Sequence, residues 1–394
     1  MSSYEIKIMD QISNAINNTI GSPPHCLHEP LIDKSDLDSV LENLNSGFVS
    51  SIGKDIDKFE KLLCQFTNAD YAIALVNGTS ALHISLVACG IKPNDEILVP
   101  SLTFVGSANA IRYCNAIPHF VDSEIEKFGI DYQKLSKYLE TNTVVENNIC
   151  INKNTKRKIT GIMPVHIFGM IGEMQKLLEI SEKYNLIIIE DAAEALGSFK
   201  DSKHAGLFGK CGCLSFNGNK IITTGGGGAV ITNDKGFADR VRHLSTTAKI
   251  KKGFSFFHDE LGFNYRMPAI NAALGTSQIL KIRELIKLKR KLHNSYSENF
   301  RKISDVEFVT TKDHNNYNNW LNSIKLKNNN IKFRKSLISK LNKIGYECRP
   351  VWELLSSLPH FQEFPCMDLT NAIKIHSSVI NIPSSPQISN YNAY

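Results

Sequence analysis

The sequence predicts an α/β fold with a mainly parallel sheet, split into one larger and one smaller domain. Three observations predict it. From about residue 71, short apolar runs alternate with helical periods, the order that builds β-α-β units. Runs such as Leu186–Ile189 are apolar throughout, which suits strands covered on both faces. The length, 394 residues, exceeds the roughly 250–300 at which a single core stops growing.

The elements follow in order. Tyr71–Val76 reads as a strand, then Asn77-Gly78-Thr79-Ser80, then ALHISLVACG, a helix closed by Gly90. Glu96–Pro100 is a strand, Phe104–Cys114 a helix and Pro118–Asp122 another strand. Gly161–His166 precedes a helix with Met174, Leu177 and Leu178 on one face. Leu186–Asp191 is an apolar run ending in two acids. Cys213–Phe216 and Ala229–Thr232 are further strands, and Phe237, Val241 and Leu244 mark the next helix. Beyond about residue 270 the pattern turns to long charged helices, so the boundary falls near 270–295. The division is an N-terminal segment, 1–30, packing on the domains, a large domain, 31–280, and a small C-terminal domain, 281–394. The Asn-rich stretches 315–320 and 328–330 read as turns or loops. The tail, 381–394, reads as a short apolar segment, NIPSS, and a polar end.

Composition narrows the class. Hydrophobic residues make up 42% and charged residues 21%, ordinary for a globular chain and too apolar for disorder. Nine cysteines without a CxxC are too sparse for a disulfide scaffold. Cys211 and Cys213 share one face of a strand and lack partners at metal spacing, so they read as core and no metal is expected. The N-terminus has no apolar signal region, and no run approaches the ~18 residues of a membrane span. A cytoplasmic protein away from membranes is expected. The net charge of +6 is spread out. Its densest segment, KIRELIKLKRKLHN (281–294), has apolar residues at helical spacing and reads as a surface helix. No aromatic-interleaved basic patch or nucleic-acid motif accompanies it. Modest positive charge does suit an anionic small molecule.

In α/β sheets, ligands sit beyond the carboxyl ends of the strands, and five such places carry suggestive groups. Gly78, Thr79 and Ser80 open a helix, an anion site or a plain N-cap; the Walker pattern is absent. Phe104, after EILVPSLT, is either a core residue or an aromatic lying against a flat ring. Asp191 leaves a buried strand, which is costly without a cation or donors; helix capping is the alternative. Ser215 and Lys220 flank Asn217-Gly218-Asn219 and precede four glycines, Gly225–Gly228. A partly desolvated Lys is a usable amine nucleophile. Asn264, in Gly262–Met267, stands before a helix opened by Pro268, as cap or ligand contact. Singly these signals are weak. A phosphate cradle, a stacking aromatic, an Asp for a ring nitrogen and a Lys that can condense with an aldehyde are together the parts of a pyridoxal 5'-phosphate site.

On these residues the chain resembles the DegT/DnrJ/StrS-type nucleotide-sugar aminotransferases. The matching stretches are GKDIDKFEKLLCQF, NGTSALHISL, DEILVPSLTFVGSANAI, HFVD, PVHIFG, EDAAEALGS, SFNGNKIITTGGGGAVITND and GFNYRMPAINAALG. The combination SFNGNK, GGGG, TTAK, HDELGFNYRMP and RPVW is similar to a LegC-like subgroup. The resemblance implies an aspartate-aminotransferase-like (fold type I) architecture, with a seven-stranded-type, mainly parallel sheet and a small α+β domain. It implies that Lys220 bonds to the cofactor and that Asp191 pairs with its ring nitrogen. Gly78, Thr79, Ser80 and Ser215 would hold its phosphate, and Phe104 would stack on its ring. Asn264 would reach the cofactor of the other subunit of a homodimer. His166, Arg349 and Trp352 would lie near the sugar nucleotide. The implied reaction moves an amino group from glutamate to the C4 keto carbon of a UDP-linked 4-keto-6-deoxy sugar. Two departures stand out: Glu194 replaces a common Gln or His near the cofactor's phenolic oxygen, and Gly225–Gly228 replaces Gly-Glu-Gly-Gly. Three rivals are the dehydratase branch, which replaces the Lys by His, an aminotransferase for another keto sugar, and a binding protein that lost catalysis. Lys220 opposes the first; Lys220 and Asp191 together oppose the last.

Overall fold

A computed structural model describes residues 2–328 and 330–393. Asn329, in the second Asn-rich stretch, and Tyr394, at the end of the tail, lie outside the described residues. Helix α1 (Ser3–Ile20) starts at a capping box in which Ser2 and Glu5 satisfy each other's backbone N–H. Its buried stripe, Ile8, Met9, Ile12, Ile16 and Ile20, follows helical spacing. Helices α2 (Lys34–Ser46) and α3 (Lys54–Thr67) follow.

The large sheet contains β1 (Tyr71–Leu75), β2 (Glu96–Pro100), β3 (Ile117–Val121), β4 (Thr143–Glu146), β5 (Ile149–Asn152), β6 (Lys158–Ile162) and β7 (Ile187–Asp191). After a small hairpin of β8 (Phe199–Lys200) and β9 (Lys203–His204) come β10 (Cys211–Ser215) and β11 (Gly228–Thr232). The order is β1-β11-β10-β7-β6-β2-β3. From β10 to β3 every pairing is parallel; β11 runs antiparallel to both neighbours. The sheet is therefore mainly parallel, as expected. A β4–β5 hairpin extends it through β6, an addition the apolar pattern did not announce. The signal was its turn: Asn147 and Asn148 both take positive φ, 48° and 61°, the demand of a tight two-residue hairpin.

Alternation along the strands feeds two cores. Leu98, Ile162, Ile188 and Leu214 enter one; Ile97, Val99, Ile189, Cys211 and Cys213 enter the other. Helices α4 (Gly78–Ala88) and α5 (Val105–Tyr113) cover the second face; α6 (Tyr132–Asn142) and α7 (Met174–Tyr184) cover the first. Helix α4 is buried nearly all round because it packs on the sheet and against α5 and α8 (Lys235–Ser245). A hairpin of β12 (Lys249–Lys252) and β13 (Ser255–His258) then stands out with every residue of both strands exposed.

Helix α9 (Ala269–Leu280) packs on α2 and α3 and leads to α10 (Ile282–Phe300). The second sheet has β14 (Val306–Phe308), β15 (Asn322–Leu326), β16 (Arg349–Pro350) and β17 (Val379–Ile382) in the order β14-β15-β17-β16. It packs with α11 (Ile331–Ile344) and with α1, so residues from both ends of the chain share a third core: Ile12, Ile16, Tyr296, Leu337, Ile380 and Ile382. The basic segment is α10, with one surprise. Lys289 is fully buried, and its ammonium donates to the carbonyls of Trp320 (2.7 Å) and Ser384. Burial holds its basicity well below the ordinary lysine range.

The chain then returns to the large sheet. Leu355 N–H donates to Ser101 O, Phe120 N–H to Pro365 O and Met367 N–H to Phe120 O, at 2.8, 2.8 and 3.0 Å. Asp122, just after β3, accepts the backbone N–H groups of Asn371 (3.1 Å) and Ala372 (2.8 Å). It thereby caps α12 (Thr370–Ser378) from the other layer.

Candidate active site

The carboxyl ends of β1, β2, β7 and β10 meet at one edge of the sheet, over a cavity of about 430 Å³. It is lined by Gly78, Thr79, Phe104, Asp191, Glu194, Ser215, Lys220, Arg349 and Trp352, all expected there.

Two acids at the end of β7 point to opposite faces, as a strand requires. Asp191 is 5% exposed. Its Oδ2 accepts the Ser107 hydroxyl at 2.7 Å and its Oδ1 the Ala193 N–H at 3.1 Å. No helix follows, so the capping alternative falls. Among the described residues Asp191 has no ion-pair partner within 4.0 Å. Burial pushes its carboxyl above the usual range, against the pull of the Ser107 hydrogen bond. A buried carboxylate short of a cation, in a cavity with a lysine amine, is what a protonated ring nitrogen would complete.

The amine is Lys220, on the loop after β10. Its Nζ lies 3.3 Å from Glu194 Oε1 and 3.8 Å from the centre of the Trp320 ring. Glu194 Oε2 accepts the Phe168 N–H at 2.8 Å. Phe168 sits in the left-handed region (φ 55°) to aim that N–H. Burial raises the Glu194 carboxyl, and the nearby Lys220 counters it.

The expected phosphate cradle lies at the start of α4. Asn77 Oδ1 takes the Ser80 N–H at 2.7 Å, leaving the earlier N–H groups of the first turn, with the helix dipole, to an anion. A Cβ on Gly78 would stand 3.0 Å from Ser215 Cβ, so glycine lets the helix start and the β10 end meet. The last of the four glycines is equally constrained: a Cβ on Gly228 would be 2.5 Å from the Asn77 carbonyl carbon. Phe104 precedes α5 with 55% of its surface exposed, facing the cavity.

Two expected residues, Ser80 and His166, are not brought to the cavity, and Asn264, expected at the partner subunit's cavity, does not line its own. Ser80 is buried behind the cap that uses its N–H. His166 was placed near the sugar nucleotide and instead lies in the core, 1% exposed, with Nε2 2.8 Å from Glu190 Oε2. The reason is Glu190, which is 0% exposed and needs every donor in reach: His166 and the N–H groups of Gly206 and Gly209. Asn264 is exposed away from its own cavity, bridged to Thr246.

Other cavity residues were missed. Ser107 was signalled only by a small polar residue one turn into α5. Trp320 hid in the Asn-rich stretch read as a loop, as did Asn318, which is buried behind the cavity rather than lining it. The first residues of that stretch, Asn315 and Asn316, end a short 3-10 turn and are exposed, whereas Tyr317–Trp320 are irregular, as expected, yet buried. Asn318 Nδ2 donates to Glu194 O (2.7 Å) and Leu196 O (3.0 Å), and the Trp320 indole donates to Asn219 O (2.6 Å). The loop thus ties both acid- and amine-bearing loops to the segment that leads into β15.

The family model described as the DegT/DnrJ/EryC1/StrS aminotransferase family matches residues 30–393. The chain belongs to this family. It is therefore a pyridoxal-phosphate-dependent sugar aminotransferase of fold type I. It is similar to a GDP-perosamine synthase of Caulobacter vibrioides, 34% identical over 359 residues, covering 90% of this chain and 91% of that protein. It is also similar to a UDP-4-amino-4,6-dideoxy-N-acetyl-beta-L-altrosamine transaminase of Campylobacter jejuni (serotype O:23/36), 31% identical over 284 residues, with 72% and 71% covered. Among solved structures, Helicobacter pylori PseC, an aminotransferase involved in the biosynthesis of pseudoaminic acid, superimposes with a TM-score of 0.83 at 25% identity, covering 93% of this chain and 98% of that one.

Proposed function

We propose that the enzyme transfers the amino group of glutamate to C4 of UDP-2-acetamido-2,6-dideoxy-hexos-4-ulose. The product is a UDP-4-amino-4,6-dideoxy-GlcNAc-type sugar for bacillosamine- or legionaminic-acid-type surface glycans. The observation that carries the chemistry is the pairing, in one cavity, of a buried, cation-deficient Asp191 with the Lys220 amine. The motif set SFNGNK, TTAK, HDELGFNYRMP and RPVW supports the substrate. A second reading, a GDP-linked keto sugar, is favoured by the similarity to GDP-perosamine synthase.

Bound pyridoxal phosphate supplies an aldehyde for the amino group and a ring that accepts electrons as the donor carbon loses its proton. The protein's residues do the rest. Asp191, oriented by Ser107, holds the proton on the ring nitrogen. Lys220 would hold the cofactor and, once the donor's amino group has displaced it, its freed amine would take the proton from the donor α-carbon and return one as general base and acid. Gly78, Thr79 and Ser215 bind the phosphate, and Phe104 lies against the ring. Trp320 and Glu194 flank the Lys220 amine and keep it over the reacting centre. In a cytoplasmic homodimer, Asn264 completes the partner's site, and the exposed Phe254, Phe256 and Phe257 of the β12–β13 hairpin are covered.

Incubation with glutamate and the UDP- or GDP-linked 4-keto-6-deoxy sugar, followed by identification of the amino sugar, tests the reading. A 3-amino product, or turnover of the GDP-sugar alone, overturns the first assignment.

A further inference from the structure

The charged residues lining the cavity are Asp191, Glu194, Lys220 and Arg349. Lys220 is committed to the chemistry. Arg349 is therefore the one cation that the described chain offers at this cavity to an incoming anion, and both substrates of the proposed reaction are anions: a dicarboxylate and a nucleoside diphosphate ester.

The guanidinium of Arg349 is not free to roam. Its Nε and Nη2 donate to a single oxygen, Oε1 of Glu347, at 3.0 and 2.5 Å. The other oxygen of Glu347 accepts the N–H of Leu27, itself a cavity residue, at 3.0 Å. Glu347 is fixed in turn: its own N–H donates to His25 O at 2.9 Å, and the His25 ring stacks on Tyr346 with centroids 6.0 Å apart. Hydrogen bonding from Leu27 and Arg349 keeps its carboxyl below the usual range, so it stays charged. The side chains of Arg349 and Glu347 are 67% and 36% exposed, and such a surface pair contributes little to stability. Its consequence is geometric. A guanidinium has two edges that grip an oxyanion. Glu347 occupies the side edge, Nε and Nη2, and leaves Nη1, with the outer hydrogen of Nη2, for a second anion.

We propose that Glu347 is a positioning residue that presents Arg349 end-on, as a preformed fork for a substrate oxyanion at the mouth of the cavity. This rests on the functional reading above. The anion is a carboxylate of the amino donor or a phosphate of the nucleotide sugar, which the fork grips alike.

The test is calorimetric titration of the cofactor-loaded protein with UDP, GDP and glutarate, for wild type, Glu347→Gln, Arg349→Gln and the double variant. Glu347→Gln keeps an acceptor for Leu27, and Glu347→Asp, charged but too short to reach both partners, serves as the second probe. Arg349→Gln is expected to weaken binding about tenfold. Glu347→Gln and Glu347→Asp are expected to weaken it several-fold, and the double variant is expected to match Arg349→Gln, because one acts through the other. Loss confined to the nucleotides or to glutarate assigns the fork to that anion. The simple charge argument has the opposite sign: removing a carboxylate beside an anion site should tighten binding. Equal or tighter binding by Glu347→Gln, or losses that multiply in the double variant, overturns the proposal. Wild type that holds the cofactor, by its absorbance, yet binds none of the three overturns the substrate reading as well; wild type without the absorbance overturns the cofactor assignment.

Discussion

The two faces of β7 carry neighbouring carboxylates with opposite fates. Glu190 turns into the core and is answered by His166 and the N–H groups of Gly206 and Gly209. Asp191 turns to the cavity and receives one hydroxyl and one N–H, with no ion-pair partner among the described residues. A chain that can satisfy one buried acid so fully leaves the other short only where a ligand supplies the remainder. Burial alone does not mark function here; incomplete satisfaction does.

Four experiments break or sharpen this contrast. The largest effect belongs to Lys220→Ala: turnover should fall by at least about 10³-fold, with loss of the visible cofactor band that glutamate bleaches in wild type. Next, Asp191→Asn should lower turnover by about 10²-fold or more while making the cofactor-free protein more stable at pH 7, by roughly 1–3 kcal/mol. Glu190→Gln should do the reverse, destabilising the fold by about 2–4 kcal/mol with turnover per folded molecule kept within about tenfold. Thermal melts with and without cofactor, beside steady-state kinetics, decide both; a stabilised Glu190→Gln would erase the contrast. Ser107→Ala should be the mildest, about tenfold in turnover, with a displaced pH dependence of the cofactor spectrum that a merely structural role would not produce.

The pH dependence has a definite sign. The folded, cofactor-free chain holds the Asp191 and Glu194 protons more tightly than the unfolded chain does. Their contribution to stability is full below the ordinary carboxylate values, 3.8 and 4.5, and is lost as pH rises through the raised ones. Cofactor-free protein should therefore lose stability from about pH 4 upward, less so in Asp191→Asn, as melts across pH would show. Saturating cofactor should blunt the slope.

The strands and the groups that meet in the cavity were legible because each leaves a local trace: an apolar run, then a turn with one chemically unusual residue. Asp191 and Lys220 are such residues. What was illegible depends on non-local contacts. His166 has the same local setting as a cavity residue, and only the position of Glu190 across the sheet draws it inward. Asn318 and Trp320 look like loop residues because their partners are about a hundred positions away. Lys289 reads as one more charge on a basic helix until the carbonyls of Trp320 and Ser384 close over it.

The third core joins the first helix to the last strand, Ile12 and Ile16 of α1 beside Ile380 and Ile382 of β17. On the ribosome this sets a schedule. Helix α1 emerges well before β17 and cannot meet all of its final partners until that strand is made, roughly 20–70 seconds later at ordinary elongation rates. The large sheet can assemble in that interval. The second sheet closes last, and a nascent chain stalled before residue 380 should still leave part of the α1 stripe open to chaperones.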